Sequence, residues 1–261
     1  VKKHFWLLLI LFSFLTRYSN AQNKLDSLEN LLRSEMPDSS RVRVLIRVSS
    51  LTQYSDFTRS REYADKALDL AEKLDDPGYK VLAYQNKAFL LSSSGDYSAA
   101  LQYDNLSLEN DIVIKDSARI SRDYNNIGND HYDLGEYDDA FYYFTQSHRV
   151  ATAVRDTFRM LVSLHNVGRV FKELGQYDRA LDHLHLAMKM SEKHKDAEGI
   201  AYSYDEIGDV QLRKNEFDSA LITLGLSLKL TRQLHINVLE PRIHSKIATI
   251  YLRKGDFPKA R

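Results

Sequence analysis

The chain of 261 residues contains no cysteine. That excludes disulfide frameworks, thiolate zinc sites, iron–sulfur clusters and cysteine nucleophiles. Proline is scarce, at four residues, and glycine numbers only ten. A turn-rich β fold or a disordered linker would need more of both. Charge of one sign is not in excess either: 36 basic side chains face 36 acidic ones. A nucleic-acid binder working through bulk positive charge is therefore disfavoured. One apolar run stands out, Phe5 to Leu15, interrupted only by Ser13. It is too short to span a bilayer, which takes about 20 residues.

That run carries the pattern of a secretory leader. Lys2 and Lys3 precede it, and Ser19-Asn20-Ala21 places small residues where a signal peptidase reads. Cleavage is expected after Ala21, with an uncleaved anchor as the alternative. Residues 1–21 hold Lys2, Lys3 and Arg17 and no acid, so the remainder has 33 basic and 36 acidic residues, a net of −3. The remaining chain is expected to be exported and periplasmic.

The glycines keep a beat. Gly95, Gly135, Gly175 and Gly255 lie on a 40-residue grid, with Asn215 in the vacant slot. Gly128, Gly168 and Gly208 form a second grid, continued by Ala88 and Ala248. Two residues after each turn glycine comes an aromatic (Tyr97, Tyr137, Tyr177, Phe217, Phe257), and three later an alanine (Ala100, Ala140, Ala180, Ala220, Ala260). Ile120, Tyr124 and Ile127 are spaced for one helical face. Each period therefore predicts two antiparallel helices, with the turn glycine supplying φ > 0 and Asn215 tolerating it. Asp76, Asp116, Asp156 and Asp196 stand where they would cap the first helix of each pair. Gly128, Gly168 and Gly208 are expected where the two helices cross closely, and the aromatics where one pair meets the next. Pro37, Pro77 and Pro241 are expected between pairs, and Pro258 in a first turn.

The pattern Tyr124-x-x-Ile127-Gly128-x-x-His131…Gly135-Glu136-Tyr137-x-x-Ala140 resembles the tetratricopeptide repeat, as does Leu164-x-x-Val167-Gly168-x-x-Phe171…Gly175-Gln176-Tyr177-x-x-Ala180. The period is 40 rather than the usual 34, so the helices should be longer. The resemblance implies an all-α, right-handed α-solenoid. Its repeats fall at 41–80, 81–120, 121–160, 161–200 and 201–240, with a truncated sixth at 241–261. Ser55, Ser60, Gln211 and Asn215 depart from the pattern. Residues 22–40 read as a leading amphipathic helix that covers the first repeat, with Leu25, Leu28, Leu31 and Leu32 on one face. At the far end the second helix of the sixth pair is missing. Ile247, Ile250, Tyr251 and Phe257 are expected to face water, and the chain is expected to be cut from a longer protein or to end early in its frame.

No Gly-rich phosphate loop, nucleophile elbow or H-E-x-x-H motif is present. His183 and His185 are two apart and point different ways on a helix, so no metal site is predicted, and no cofactor. Carboxylate pairs such as Asp75-Asp76 and Asp138-Asp139 sit at helix starts, where capping explains them. Tyr142-Tyr143-Phe144 reads as inter-helix packing, and His131 as a packed side chain. No catalytic constellation appears; an enzymatic output would have to lie after Arg261.

One column suggests binding. Asn86, Asn126 and Asn166 precede the apolar-Gly pair in three successive repeats. In the arrays that the sequence resembles, asparagines at this position grip the backbone of an extended peptide, since an amide donates and accepts at once. A hydrogen bond to a neighbouring helix is the alternative. Arg122, Asn125, Asn129, Tyr132, His165, Arg169 and Lys172 fall on turns facing the same groove, with Asp205, Asp209 and Arg213 beyond them. A solvated helix face is the alternative for each. The resemblance extends to the extracytoplasmic region of bacterial sensor histidine kinases. It implies a protein or extended peptide as partner, no nucleic acid, and membrane contact only through a segment after Arg261. A freestanding periplasmic scaffold is the other reading.

Overall fold

The computed structural model describes residues 23–260. The expected leader at 1–21 lies outside them. The described residues form twelve α-helices and one 3₁₀ turn, with no strand among them. None of these helices is long and apolar enough to cross a membrane.

Two compact units divide at Asp116–Ser117. The first contains α1 (23–33), α2 (Asp38–Thr52), α3 (Phe57–Leu74), α4 (Pro77–Ser93) and α5 (Tyr97–Ile114). The second contains α6 (Ser117–Asp133), α7 (Tyr137–Ala153), α8 (Thr157–Glu173), α9 (Tyr177–His194), α10 (Ala197–Arg213), α11 (Phe217–Leu234) and α12 (Leu239–Arg253), then the turn Phe257–Ala260. Within each unit consecutive helices pack antiparallel as pairs, the all-α solenoid architecture that the 40-residue period demands.

The helix ends follow from residue chemistry. Asp76, Asp156 and Asp196 accept backbone N–H bonds from the first turns of α4, α8 and α10, and Asp56 and Asp96 do the same for α3 and α5. Gly95, Gly135, Gly175, Gly255 and Asn215 all have φ between 62° and 83°. A second left-handed column went unread in the sequence: Asp75, Lys115, Arg155, Lys195 and His235, also 40 apart, end the second helices with φ of 51–61°. Prolines sit further into the helices than expected. Pro77 opens α4, and Pro241 lies in the first turn of α12, where the missing N–H has no intrahelical partner to lose. Ser55 does not take the left-handed conformation of its column.

Glycine makes the crossing inside each pair. A Cβ on Gly128 would lie 2.7 Å from the Phe144 ring, one on Gly168 2.8 Å from Leu184, and one on Gly208 2.7 Å from Leu224. Phe144, Leu184 and Leu224 are themselves fully buried, as are Ala100, Ala140, Ala180 and Ala220. A third small column closes the approach further along: Ala67, Ser107, Ser147, Ala187 and Ser227 are all buried. There the helices come near enough for Ser147 Oγ to donate to the Ser121 carbonyl at 2.7 Å, and Ser227 Oγ to that of Ala201 at 2.7 Å. Tyr142-Tyr143-Phe144 packs as expected in part: Phe144 is buried under Gly128, Tyr143 stacks on His131 at 5.2 Å, and Tyr142 is exposed.

The last pair corrects one expectation. Ile250 is fully buried with Ile243 and Leu239 against the α10–α11 core, and Ile247 and Tyr251 are half-buried. A first helix buries one face on the preceding pair whatever follows it. Phe257 alone of the four is exposed.

The crossing yields a paired prediction. Gly128→Ala drives a methyl into a rigid, buried ring, and the overpacking outweighs the helix propensity gained, for a net loss of about 1–2 kcal/mol. Gly225→Ala in α11 meets no atom within 4 Å and gains about 0.5–1 kcal/mol. Urea unfolding of the two variants checks the opposite signs.

Candidate functional site

The site is built on the first helices of the second unit. Because the period is 40, residues 40 apart on α8, α10 and α12 stand on neighbouring helices at one level. A cleft of about 590 Å³ opens there. Phe158, Leu161 and Val162 of α8 and Tyr202 of α10 give it apolar walls. His165, Asn166 and Arg169 of α8, Glu206 of α10 and Arg242 of α12 supply polar groups, and Asp196, Glu198 and Gly199 form the edge at the start of α10. Phe158 is 71% exposed, an unusual state for an aromatic beside a cleft. A smaller hollow of about 110 Å³ shares Phe158 and Val162 and adds Arg122, Asn125, Ser147 and Arg159.

Behind the cleft lies a network of charges layered by helix. Lys172 of α8 bonds Glu206 at 2.9 Å and Asp209 at 2.6 Å, both on α10. From α12, Arg242 bonds Asp205 at 2.9 Å and Glu206 at 2.8 Å, and Lys246 bonds Asp205 at 2.8 Å. Asp205, Glu206 and Lys172 are almost wholly buried. Burial alone would raise the Glu206 carboxyl, but Lys172 and Lys246 outweigh it and hold the group well below the usual carboxylate range. Burial would likewise lower Lys172, and Glu206 and Asp209 reverse that. Asp205 goes the other way: burial keeps its carboxyl above the ordinary value despite Lys246 and Arg242.

The predicted residues divide. Asn125, Tyr132, His165, Asn166, Arg169 and Lys172 are brought together in and beside the cleft. Asn166 is buried, donates to Asn125 Oδ1 at 2.8 Å and accepts from Arg169 at 3.0 Å. It therefore makes an inter-helix bond while also lining the cleft. Arg169 lies 4.4 Å from the Tyr132 ring centre, and the Tyr132 hydroxyl donates to Glu173 at 3.1 Å. Lys172 is no free groove cation, being locked in its ion pairs. Asn86 belongs to the first unit and is buried, its Oδ1 without a hydrogen bond. Arg122 lines the smaller hollow, while Asn126 and Asn129 are half-buried on α6 and line neither. Arg213 is turned to Glu173 at 2.9 Å.

Phe158, Tyr202, Glu206, Arg242 and Lys246 were missed. The signal was present: Glu206 and Lys246 are the next two members of the Asn86–Asn126–Asn166 column, and Arg242 follows Arg122, Val162 and Tyr202 on another. Reading the column for one residue type hid its change of chemistry. As for metals, His131, Glu136 and Asp139 place possible ligand atoms within 4.8 Å of one another. The His131 ring instead stacks on Tyr143 and bonds Glu136 at 2.6 Å.

Two predictions follow from this chemistry. Lys172→Met takes one partner from Glu206, which keeps Arg242, and the nearer partner from Asp209, which keeps Lys246 at 3.8 Å; it costs about 3 kcal/mol, of which Glu206→Gln in the same chain restores a part, and a double-mutant unfolding cycle measures it. Burial also pushes His148, His165 and His183 below their ordinary value of 6.5. A depressed imidazole leaves more protons on the unfolded chain, so stability is complete above about pH 6.5 and declines as the pH falls. Chemical denaturation at a series of pH values should show that loss, and a flat profile between about pH 7 and 5 contradicts it.

Set beside known proteins, residues 120–193 and 160–233 match the tetratricopeptide repeat family model. No curated protein matches the chain significantly. Several solved structures share the fold. The apo form of RapI superposes with a TM-score of 0.74 at 18% identity, covering 94% of this chain and 89% of that one. Aspartyl phosphate phosphatase F from Bacillus subtilis gives 0.72 at 15%, covering 92% and 65%. NprR in complex with its cognate peptide NprX gives 0.68 at 15%, covering 94% and 71%.

Proposed function

We propose that this chain is a tetratricopeptide-type interaction array that binds an extended peptide or protein segment across α8, α10 and α12. The observation that carries this reading is the cleft of about 590 Å³, where an exposed phenylalanine and a tyrosine flank polar groups already fixed in place. Fixed rotamers lower the entropic cost of binding. An apolar side chain of the ligand fills the space between Phe158, Val162 and Tyr202, while Arg169, Glu198 and the half-exposed Arg242 meet its polar backbone and neighbours. NprR, which shares the fold, holds a peptide, and this supports a peptide as ligand class here. No catalytic step is assigned to the chain.

The setting we propose is export, with the array acting as the sensory input of a membrane-bound bacterial signalling protein of the histidine-kinase type. The basic and apolar pattern of residues 1–21 supports export.

Peptide display against the purified chain tests the binding reading. Selected peptides should lose at least about tenfold in affinity to Phe158→Ala, because an exposed aromatic anchor typically carries more than 1 kcal/mol. The melting temperature should stay put. Peptides that bind this variant unchanged place the site elsewhere. Fusion of residues 1–40 to a phosphatase active only outside the cytoplasm tests export, and an inactive fusion refutes it. A transmembrane segment and kinase signature encoded after Arg261 distinguish the sensor from a freestanding periplasmic scaffold.

A further inference from the structure

The first unit holds a hollow of different character. It measures about 630 Å³ and lies among α1, α2 and α3. Five of its lining side chains are cations: Arg33, Arg41, Arg59, Lys66 and Lys73. Only Glu29 and Asp69 oppose them. Glu29 is already engaged, since it accepts from Arg59 and, at 2.9 Å, from the Tyr63 hydroxyl. Arg41 donates to the carbonyls of Leu32 at 2.8 Å and Ser34 at 3.2 Å, which fixes its place without cancelling its charge. With Arg59 set against Glu29, four cations face the single carboxylate of Asp69. The hollow keeps an excess of three positive charges.

These cations have a spacing. Along α3, Arg59, Lys66 and Lys73 are seven residues apart, and Tyr63 and Leu70 fall between them at the same interval. Seven residues make two helical turns, about 10.5 Å, so cation and apolar group alternate along a stripe of about 21 Å. Leu32 and Leu45 add apolar surface from α1 and α2, and Lys66 Nζ stands 5.4 Å from the Tyr63 ring centre. A ligand in register must present carboxylates about 10 Å apart with apolar groups between them. A helix carrying acids on a seven-residue repeat does so. An extended strand repeats its faces every ~7 Å and falls out of step. An inorganic polyanion leaves the leucines unused.

We propose that this hollow is a second binding site, one that receives an acidic amphipathic helix of a partner protein. Residues 1–22 of the chain itself do not fit on charge, since they carry Lys2, Lys3 and Arg17 and no acid. The site is independent of the cleft in the second unit.

The test titrates the purified full chain with a labelled synthetic helix that has glutamate at every seventh position and leucines between. A scrambled peptide and a version with lysine for glutamate serve as controls, and inorganic tripolyphosphate as competitor. The designed helix should bind saturably and more weakly as salt is raised. Lys66→Glu combined with Lys73→Glu should weaken it by about tenfold or more. Both lysines are exposed, so the fold should survive, as an unchanged melting temperature verifies. Phe158→Ala should leave this binding intact even where it abolishes that of displayed peptides. Equal binding of scrambled or basic peptides, or full binding by the double variant, overturns the proposal. Binding of tripolyphosphate without the helix makes the hollow a general anion site and also overturns it. Self-association lost in the double variant, with no peptide bound, assigns the hollow to a second copy of the chain and does the same.

Discussion

The close approach of two helix backbones at Gly128, Gly168 and Gly208 is the constraint on which the second unit depends. A large, fully buried side chain (Phe144, Leu184 or Leu224) occupies the space where each glycine would have carried its Cβ. This contact fixes the distance between the helices of a pair, since protein interiors tolerate neither voids nor overlap. Fixing that distance also brings the serine hydroxyls of the neighbouring small column within reach of the opposite backbone. Size complementarity at one level and hydrogen bonding at another thus specify the same crossing.

Identical crossings present identical faces. The first helices α8, α10 and α12 accordingly stand side by side, and a column in the sequence becomes a row in space. Pairs far apart in the chain meet for this reason: Lys172 with Glu206, Arg242 with Glu206, Lys246 with Asp205. The rows are laminated, basic on α8, acidic on α10 and basic on α12. Buried ion pairs repay their desolvation poorly, so their net contribution to stability is small, while removal of one member is costly. What such a lamination supplies is register, because a shift of one helix along its neighbour carries buried charges away from their partners and leaves them uncompensated.

Much of this was legible because glycine and asparagine announce positions that other residues avoid. The turn grid, the crossing grid and the aspartate caps all rest on residue types with a backbone reason to be there. The left-handed column of Asp75, Lys115, Arg155, Lys195 and His235 was illegible for the opposite reason. Closing bonds to the last carbonyls of the helix impose that conformation on whatever residue arrives. In the site, the asparagine column meets the cleft only at Asn166 of α8, whose amide also bonds Asn125. Its continuation as Glu206 and Lys246 carries the charge network, and Phe158 and Tyr202 are the only aromatics among Ala118, Phe158, Glu198 and Val238 and among Arg122, Val162, Tyr202 and Arg242. Periodicity marks position well and chemistry poorly wherever successive repeats differ.

The cleft and the hollow also differ in how their charges are spent. Around the cleft, three cations and three carboxylates of α8, α10 and α12 satisfy one another, so what the cleft leaves uncovered is chiefly the apolar surface of Phe158, Val162 and Tyr202. Apolar burial is insensitive to salt and tolerant of sequence. In the hollow of the first unit Arg59 is set against Glu29, and the remaining cations outnumber the carboxylate of Asp69. Uncompensated charge steers encounter and rejects partners of the same sign, at the cost of screening. One repeat pattern therefore presents two kinds of surface, according to whether the charges on neighbouring helices face each other or face outward.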